Sequence, residues 1–211
     1  MKIQTYQVGQ MQCNCYFLID DHDCVIIDPG DSAETLLEEV SRQNLNVHAL
    51  IATHGHFDHI MAAGEMQLAL NVPFYIHADD EFLLSRLEST AAHFLGYEPY
   101  VIKPQVVKHI SSSKLHLPPF NFEIILTPGH TPGSVCLYQN SAGMAFVGDL
   151  LFHGGGVGRF DFSYSNKQDL FSSINHLVKK LPGETIIHSG HGESSILEEE
   201  ESLLRQQGLL R

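Results

Sequence analysis

Apolar and polar positions alternate along the first third of the chain in short β-rich runs, KIQTYQV, NCYFLID and CVIID, the last closed by Pro29 and Gly30. Runs of this length bounded by turn residues predict a meander of strands. The pattern then changes period. Leu36, Leu37 and Val40 form a stripe within AETLLEEVSRQ, predicting a helix that Ser32 would cap, and VHALIAT after it predicts a buried strand. From Ile60 onward, Ala62, Met66, Ala69 and Leu70 recur at helical spacing, so a second helix is expected before Pro73 and the strand FYIH. Residues 85–120 show no period, and Pro99, Pro104, Pro118 and Pro119 interrupt them, which predicts mostly loop. The second half repeats the earlier order. FEIILT, a Pro128–Gly129 turn, SVCLYQ, MAFVG, a glycine-rich loop, the helix NKQDLFSSINHLVKKL, the strand TIIH and a last helix follow one another. Two similar halves with no linker or low-complexity segment between them predict a single α/β domain over residues 1–211, with sheets packed between helical layers.

Composition narrows the class. With 43% hydrophobic residues the chain can bury a substantial core, and it has no apolar run near the roughly 18 residues of a membrane span. The opening MKIQTYQVGQ lacks the apolar core of a secretory signal, so the cytoplasm is the expected location and a membrane partner is not expected. The four cysteines, Cys13, Cys15, Cys24 and Cys136, match no CxxC motif or disulfide scaffold, which predicts buried, reduced thiols. A formal charge of −13, from 25 acidic and 12 basic residues, opposes the phosphate neutralisation that nucleic-acid binding needs. A small-molecule substrate is expected instead.

Among the 14 histidines one cluster stands apart. His54, His56, Asp58 and His59 form HxHxDH in THGHFDHI, directly after the strand VHALIAT and before the second helix. Four metal-capable side chains in six residues, with Gly55 permitting a tight backbone, point to metal binding rather than to a solvated polar loop. His130 in TPGHTPGS, Asp149 in FVGDLLF and His191 in HSGHGES each follow an apolar strand, and Gly129, Gly148 and Gly190 stand directly before them. Strands lying side by side would bring such residues to one edge of a sheet, where open α/β folds place their ligands. Imidazole with carboxylate suits zinc foremost, and also iron or manganese. The other histidines, His153 among them, lack ligand spacing, and Glu198 to Glu201 read as the solvated face of the last helix.

THGHFDH, TPGHTPGS, GDLLF and SGHG, together with NCYFLI and VIIDPG, resemble the metallo-β-lactamase superfamily, and within it the glyoxalase II-like thioesterases. The resemblance implies an αββα sandwich. It implies two divalent metal ions, one held by His54, His56 and His130 and the other by Asp58, His59 and His191, with Asp149 bridging them. Asp28 would support the site from behind the ligands, and Asp58 could also orient the attacking hydroxide. Arg159 in VGRFDF is similar in place to a basic residue that contacts the glutathione carboxylate in that family. Two features depart from the glutathione-binding pattern: the helical domain that follows in full-length glyoxalase II enzymes is absent from the residues after His191, and GHGES lacks an aromatic residue found there. The similarity is therefore greatest to short, single-domain relatives. Hydrolysis of a small thioester such as S-lactoylglutathione is the implied activity. The alternatives are a persulfide dioxygenase with a single iron, a lactonase or other ester hydrolase, and a metal-binding module without turnover.

Overall fold

The computed structural model describes residues 1–111 and 113–210. The chain divides into two compact units, Met1–Ser111 with Leu117–Phe120, and Ser112–His116 with Asn121–Arg211.

The first unit carries β1 (Lys2–Val8), β2 (Cys13–Asp20), β3 (Asp23–Ile27), α1 (Ala33–Arg42), β4 (Asn46–Ile51), α2 (Phe57–Ile60), α3 (Ala63–Leu70), β5 (Phe74–His77), α4 (Glu81–Ser85), α5 (Leu87–Leu95) and β6 (Val107–Ile110). Its strands form one sheet in sequence order, β1 through β6. The β1–β2 and β2–β3 pairs are antiparallel, as tight turns require, whereas β3–β4, β4–β5 and β5–β6 are parallel and are joined through helices. Phe17, Ile26, Leu50 and Phe74 from the strands pack with Leu36 and Val40 of α1 and with Ile60 and Met66. Cys13, Cys15 and Cys24 belong to the same core as small apolar side chains, and all four cysteines are free and buried. Burial pushes the Cys13 and Cys24 thiols up to about 12, so they stay protonated.

The second unit holds β7 (Lys114–Leu117), β8 (Phe120–Leu126), β9 (Val135–Gln139), β10 (Met144–Gly148), the short hairpin β11 (Leu151–Phe152) and β12 (Gly156–Val157), α6 (Lys167–Lys180), β13 (Ile186–Ser189), β14 (Ser195–Ile196) and α7 (Leu197–Gln206). The sheet order is β14-β13-β10-β9-β8-β7, and only the β10–β13 pair is parallel among the registers described. Ile125, Cys136, Val147 and Ile187 pack with Leu170, Ile174 and Leu177 of α6 and Leu204 of α7. The Asn166 side chain accepts hydrogen bonds from the Gln168 and Asp169 amides and so caps α6.

The structure departs from the sequence pattern in five places. Ser32 stands at the start of α1 in a left-handed conformation with no side-chain cap; the Asp31 carboxylate takes the Ser32 amide instead. The second helix is split into α2 and α3, because the Ala62 amide leaves the helical ladder to donate to Pro29 O at 3.1 Å. Asp58 and His59 therefore lie inside a one-turn helix rather than ahead of one. Residues 85–120 are not mostly loop. Leu87 and Ala91, one helical turn apart, are the buried positions of α5, which Gly96 ends, and β6 and β7 are four-residue strands whose largely exposed side chains leave no alternating signal. The glycine-rich segment closes the β11–β12 hairpin. Finally, Glu200 is buried, not solvated.

Histidine 188 on β13 gives a stability prediction. Its ring is buried, stacks on Phe146 with centroids 5.1 Å apart, and lies 2.8 Å from Ser194 Oγ through Nδ1. Burial disfavours the imidazolium and lowers its pKa to about 4. The unfolded chain then binds a proton near pH 6.5 that the folded chain refuses until about 4, so stability falls as pH drops through that window, by about 3 kcal/mol in all. In His188→Phe the drop in unfolding free energy between pH 7 and 4.5, measured with urea, is expected to be shallower by most of that amount. Equal slopes in the two proteins would contradict this assignment.

Candidate metal centre

The parallel pairing of β3 with β4 brings their carboxyl ends side by side, and that adjacency builds the first half of the site. Asp28 follows β3 and is 1% exposed; its amide donates to Ile51 O at 2.8 Å. Asp28 Oδ1 accepts from the Thr53 amide at 2.7 Å, and Oδ2 accepts from Thr53 Oγ1 at 2.7 Å and from His59 Nδ1 at 3.0 Å. These bonds fix tautomers. A carboxylate only accepts, so His59 Nδ1 carries the proton and Nε2 keeps its lone pair. Thr53 has given its hydroxyl proton to Asp28, so its oxygen accepts from His54 Nδ1 at 3.1 Å, and His54 Nε2 is likewise left as a donor to metal. His54 Nε2 and His56 Nδ1 face each other at 3.2 Å, and the His54 and His59 rings lie 4.1 Å apart between centroids. Asp58 Oδ2 is 3.9 Å from His59 Nε2. All four residues of HxHxDH thus converge within this unit.

In the second unit β8 and β10 run in the same direction on either side of β9, and β13 is parallel to β10, so their carboxyl ends share one edge of the sheet. His130, Asp149 and His191 emerge there. Asp149 Oδ2 lies 3.4 Å from His130 Nε2, and Asp149 Oδ1 lies 3.7 Å from His191 Nε2, so each carboxylate oxygen faces a different imidazole. His130 Nδ1 donates to the Arg159 carbonyl at 2.8 Å, which again turns Nε2 outward as a lone-pair donor. Gly158 makes that contact possible: a Cβ on it would sit 1.8 Å from Asp149 O. The Arg159 side chain points elsewhere. Its guanidinium makes two bonds of 2.9 Å to Asp161 and lies 4.5 Å above the Phe162 ring.

Divalent cations fit this chemistry, which is imidazole and carboxylate donors with each tethered ring presenting an unprotonated nitrogen. Several supporting residues went unrecognised in the sequence. Thr53 relays Asp28 to His54. Asp80, buried just after β5, accepts from the Gly55 amide at 2.8 Å and so holds the HxHxDH segment at its middle. Asp80 does follow a strand in the same relation as Asp28 follows β3, and that was its only signal.

A mixed α/β fold whose parallel strand ends carry clustered His/Asp donors defines a metallo-hydrolase, and the chain belongs to the metallo-β-lactamase superfamily, whose family model matches residues 8–191. It is similar to a hydroxyacylglutathione hydrolase, GloC, of Haemophilus influenzae, at 35% identity over 95% of each chain. Among solved structures it is similar to the BLEG-1 B3 metallo-β-lactamase, with a TM-score of 0.88 and 31% identity over 95% of this chain and 97% of the other. It is also similar to TTHA1623 in a di-iron-bound form, with a TM-score of 0.84 and 33% identity over 96% of this chain and 97% of the other. Among the described residues no helix is long and apolar enough to cross a membrane.

Proposed function

We propose that the chain hydrolyses a small thioester of the S-lactoylglutathione type at a two-metal centre. The observation that carries this reading is Asp149, whose two oxygens address two different histidines at 3.4 and 3.7 Å, as a bridging carboxylate would. The similarity to a hydroxyacylglutathione hydrolase over 95% of the chain supports the thioester in particular. His54, His56 and His130 would hold one ion, and Asp58, His59 and His191 the other, with zinc the metal best suited to this donor set. Bound there, the ions would acidify a water, polarise the substrate carbonyl and receive the departing thiolate, which leaves readily because thiols ionise near pH 8.5.

The protein's own part is orientation. Asp28, Thr53 and the Arg159 carbonyl hold three imidazoles in the ligating tautomer, so no rearrangement is needed when substrate arrives. Asp58, 13% exposed, orients the attacking water toward the carbonyl carbon. Arg159 would bind a substrate carboxylate through its two-pronged guanidinium. Its present partner Asp161 is exposed, at 62%, and so is Arg159, at 58%; such a pair is worth at most about 1 kcal/mol and exchanges readily for a ligand. A second reading, β-lactam hydrolysis, is favoured by the TM-score of 0.88 to BLEG-1.

The test is metal analysis of the purified protein joined to a panel of S-lactoylglutathione, simple acyl thioesters, a lactone, a cephalosporin and a glutathione persulfide. Two ions per chain with thioesters turned over best is the expected result. Preference for the cephalosporin would install the second reading, and one iron per chain with oxygen uptake on the persulfide would replace both.

A further inference from the structure

Glu200 is a carboxylate on the C-terminal helix α7 with 1% exposure, in a stretch otherwise acidic and mostly solvated. Its partners are backbone amides of the β11–β12 turn. Gly154 N donates to Oε1 at 3.2 Å and Gly155 N donates to Oε2 at 2.6 Å, while His153 Nδ1 lies 3.4 Å from Oε1. Gly154 and Gly155 have φ of +84° and +76°, the left-handed geometry that aims successive amides at one anion. The fit is close, since a Cβ on Gly155 would lie 2.9 Å from Gln207 Nε2 and 3.2 Å from Leu203 Cβ on the same helix. A buried charge is tolerable only when its oxygens are satisfied, and here each oxygen accepts from an amide.

The hairpin so gripped touches every donor of the second half-site. Asp149 lies two residues before β11. Phe152 in β11 sets its ring against His191, with centroids 6.2 Å apart. Past β12, Gly158 packs on the Asp149 carbonyl, and the Arg159 carbonyl accepts from His130 Nδ1 at 2.8 Å. The foot of β11 is pinned separately, where Ser189 Oγ donates to Leu151 O at 2.6 Å. Glu200 is the side chain that secures the tip.

We infer that Glu200 is a positioning residue: through the β11–β12 hairpin it fixes the relative orientation of His130, Asp149 and His191, which ties the C-terminal helix to the metal half-site. This rests on the metal-binding reading of those three residues but not on the choice of substrate. An amide in place of the carboxylate would keep one acceptor and turn an N–H₂ toward a backbone N–H, so one of the two tethers is lost with little change of volume.

The test compares Glu200→Gln with Glu199→Gln, an exposed control on the same helix, and with Glu200→Asp, which keeps the charge on a shorter stem. Hydrogen exchange of the 152–157 amides, zinc retained against a competing chelator, and kcat and KM on the best substrate are measured for each. For Glu200→Gln we expect exchange at least tenfold faster in the hairpin, about tenfold weaker zinc retention, and a fall in kcat of about tenfold with KM within threefold, by the usual size of effects behind metal ligands. Glu200→Asp should lie between it and the wild type, and its charge-keeping side chain covers the case of a poorly folding glutamine variant. Unchanged hairpin exchange in both variants would overturn the latch, and so would faster exchange with zinc retention equal to the control. A wild type that hydrolyses no thioester overturns the substrate reading alone, because exchange and zinc retention still decide the role of Glu200.

Discussion

Asp149→Asn is expected to leave a folded protein that keeps one metal ion per chain instead of two and turns over substrate about 1000-fold more slowly, a loss of about 4 kcal/mol in transition-state stabilisation. Asparagine has nearly the same shape, so the change is one of charge and donors. One oxygen facing a histidine nitrogen, at 3.4 or 3.7 Å, becomes an N–H₂ that can only repel a cation or donate to the ring. The site also loses the one negative charge placed to be shared by two dications. Asp149 is 13% exposed and lies at a sheet edge, so without metal the variant should unfold within about 1 kcal/mol of the wild type. Metal counting by mass spectrometry, steady-state kinetics and a urea titration check the three parts. Two retained ions with turnover within tenfold of the wild type would remove Asp149 from the bridging role, and with it the observation on which the thioester reading stands.

The same logic explains which parts of the molecule could be read from the sequence. Each proposed metal ligand stands directly after a strong apolar run, and runs such as VHALIAT and MAFVG fold as the strands they resemble because burial of both faces leaves no competing pattern. The ligand positions were therefore legible as sequence, and so was the α/β order of elements with its repetition in two halves. Legibility failed where the deciding interaction is between backbone groups. The break between α2 and α3 depends on Ala62 N–H reaching Pro29 O, which no side-chain period reports. The helix α5 and the strands β6 and β7 are short and mostly exposed, so few buried positions mark them, and the prolines around them read as breakers. Glu200 was misread for a related reason. Its neighbours Glu198 and Glu199 are exposed, and only the two glycine amides that converge on it distinguish it from them. The supporting layer of the site was legible in part. Asp28 was anticipated through the family resemblance, whereas Thr53 and Asp80 act through hydrogen bonds that depend on which strands are neighbours.

Asp28 carries the second large expected effect, and two substitutions there separate stability from metal binding. In Asp28→Ala three donors lose their acceptor: the Thr53 amide, the Thr53 hydroxyl and His59 Nδ1. Thr53 and His59 are buried, at 1% and 0% exposure, so water does not replace the carboxylate. An unmet buried donor costs about 1–3 kcal/mol, and the total comes to about 4 kcal/mol because the hydroxyl can turn and the ring can change tautomer. Alanine is also poor at the left-handed φ of 53° found here. The metal-free variant should thus melt about 10 °C below the wild type. Asparagine accepts that backbone conformation and keeps one oxygen, so Asp28→Asn should lose only about 2 kcal/mol. Its Nδ2 would nonetheless stand where Oδ2 accepted from His59 Nδ1, and the ring escapes the clash of donors by moving its proton to Nε2. That proton occupies the lone pair through which His59 would hold metal, so Asp28→Asn should bind its weaker ion about 10- to 100-fold less tightly while remaining folded. Chelator competition on the two variants and the wild type reads this directly. If the asparagine protein holds both ions as tightly as the wild type does, the hydrogen bond from His59 to Asp28 does not set the ligating tautomer, and the orientation assigned to this half of the site is wrong.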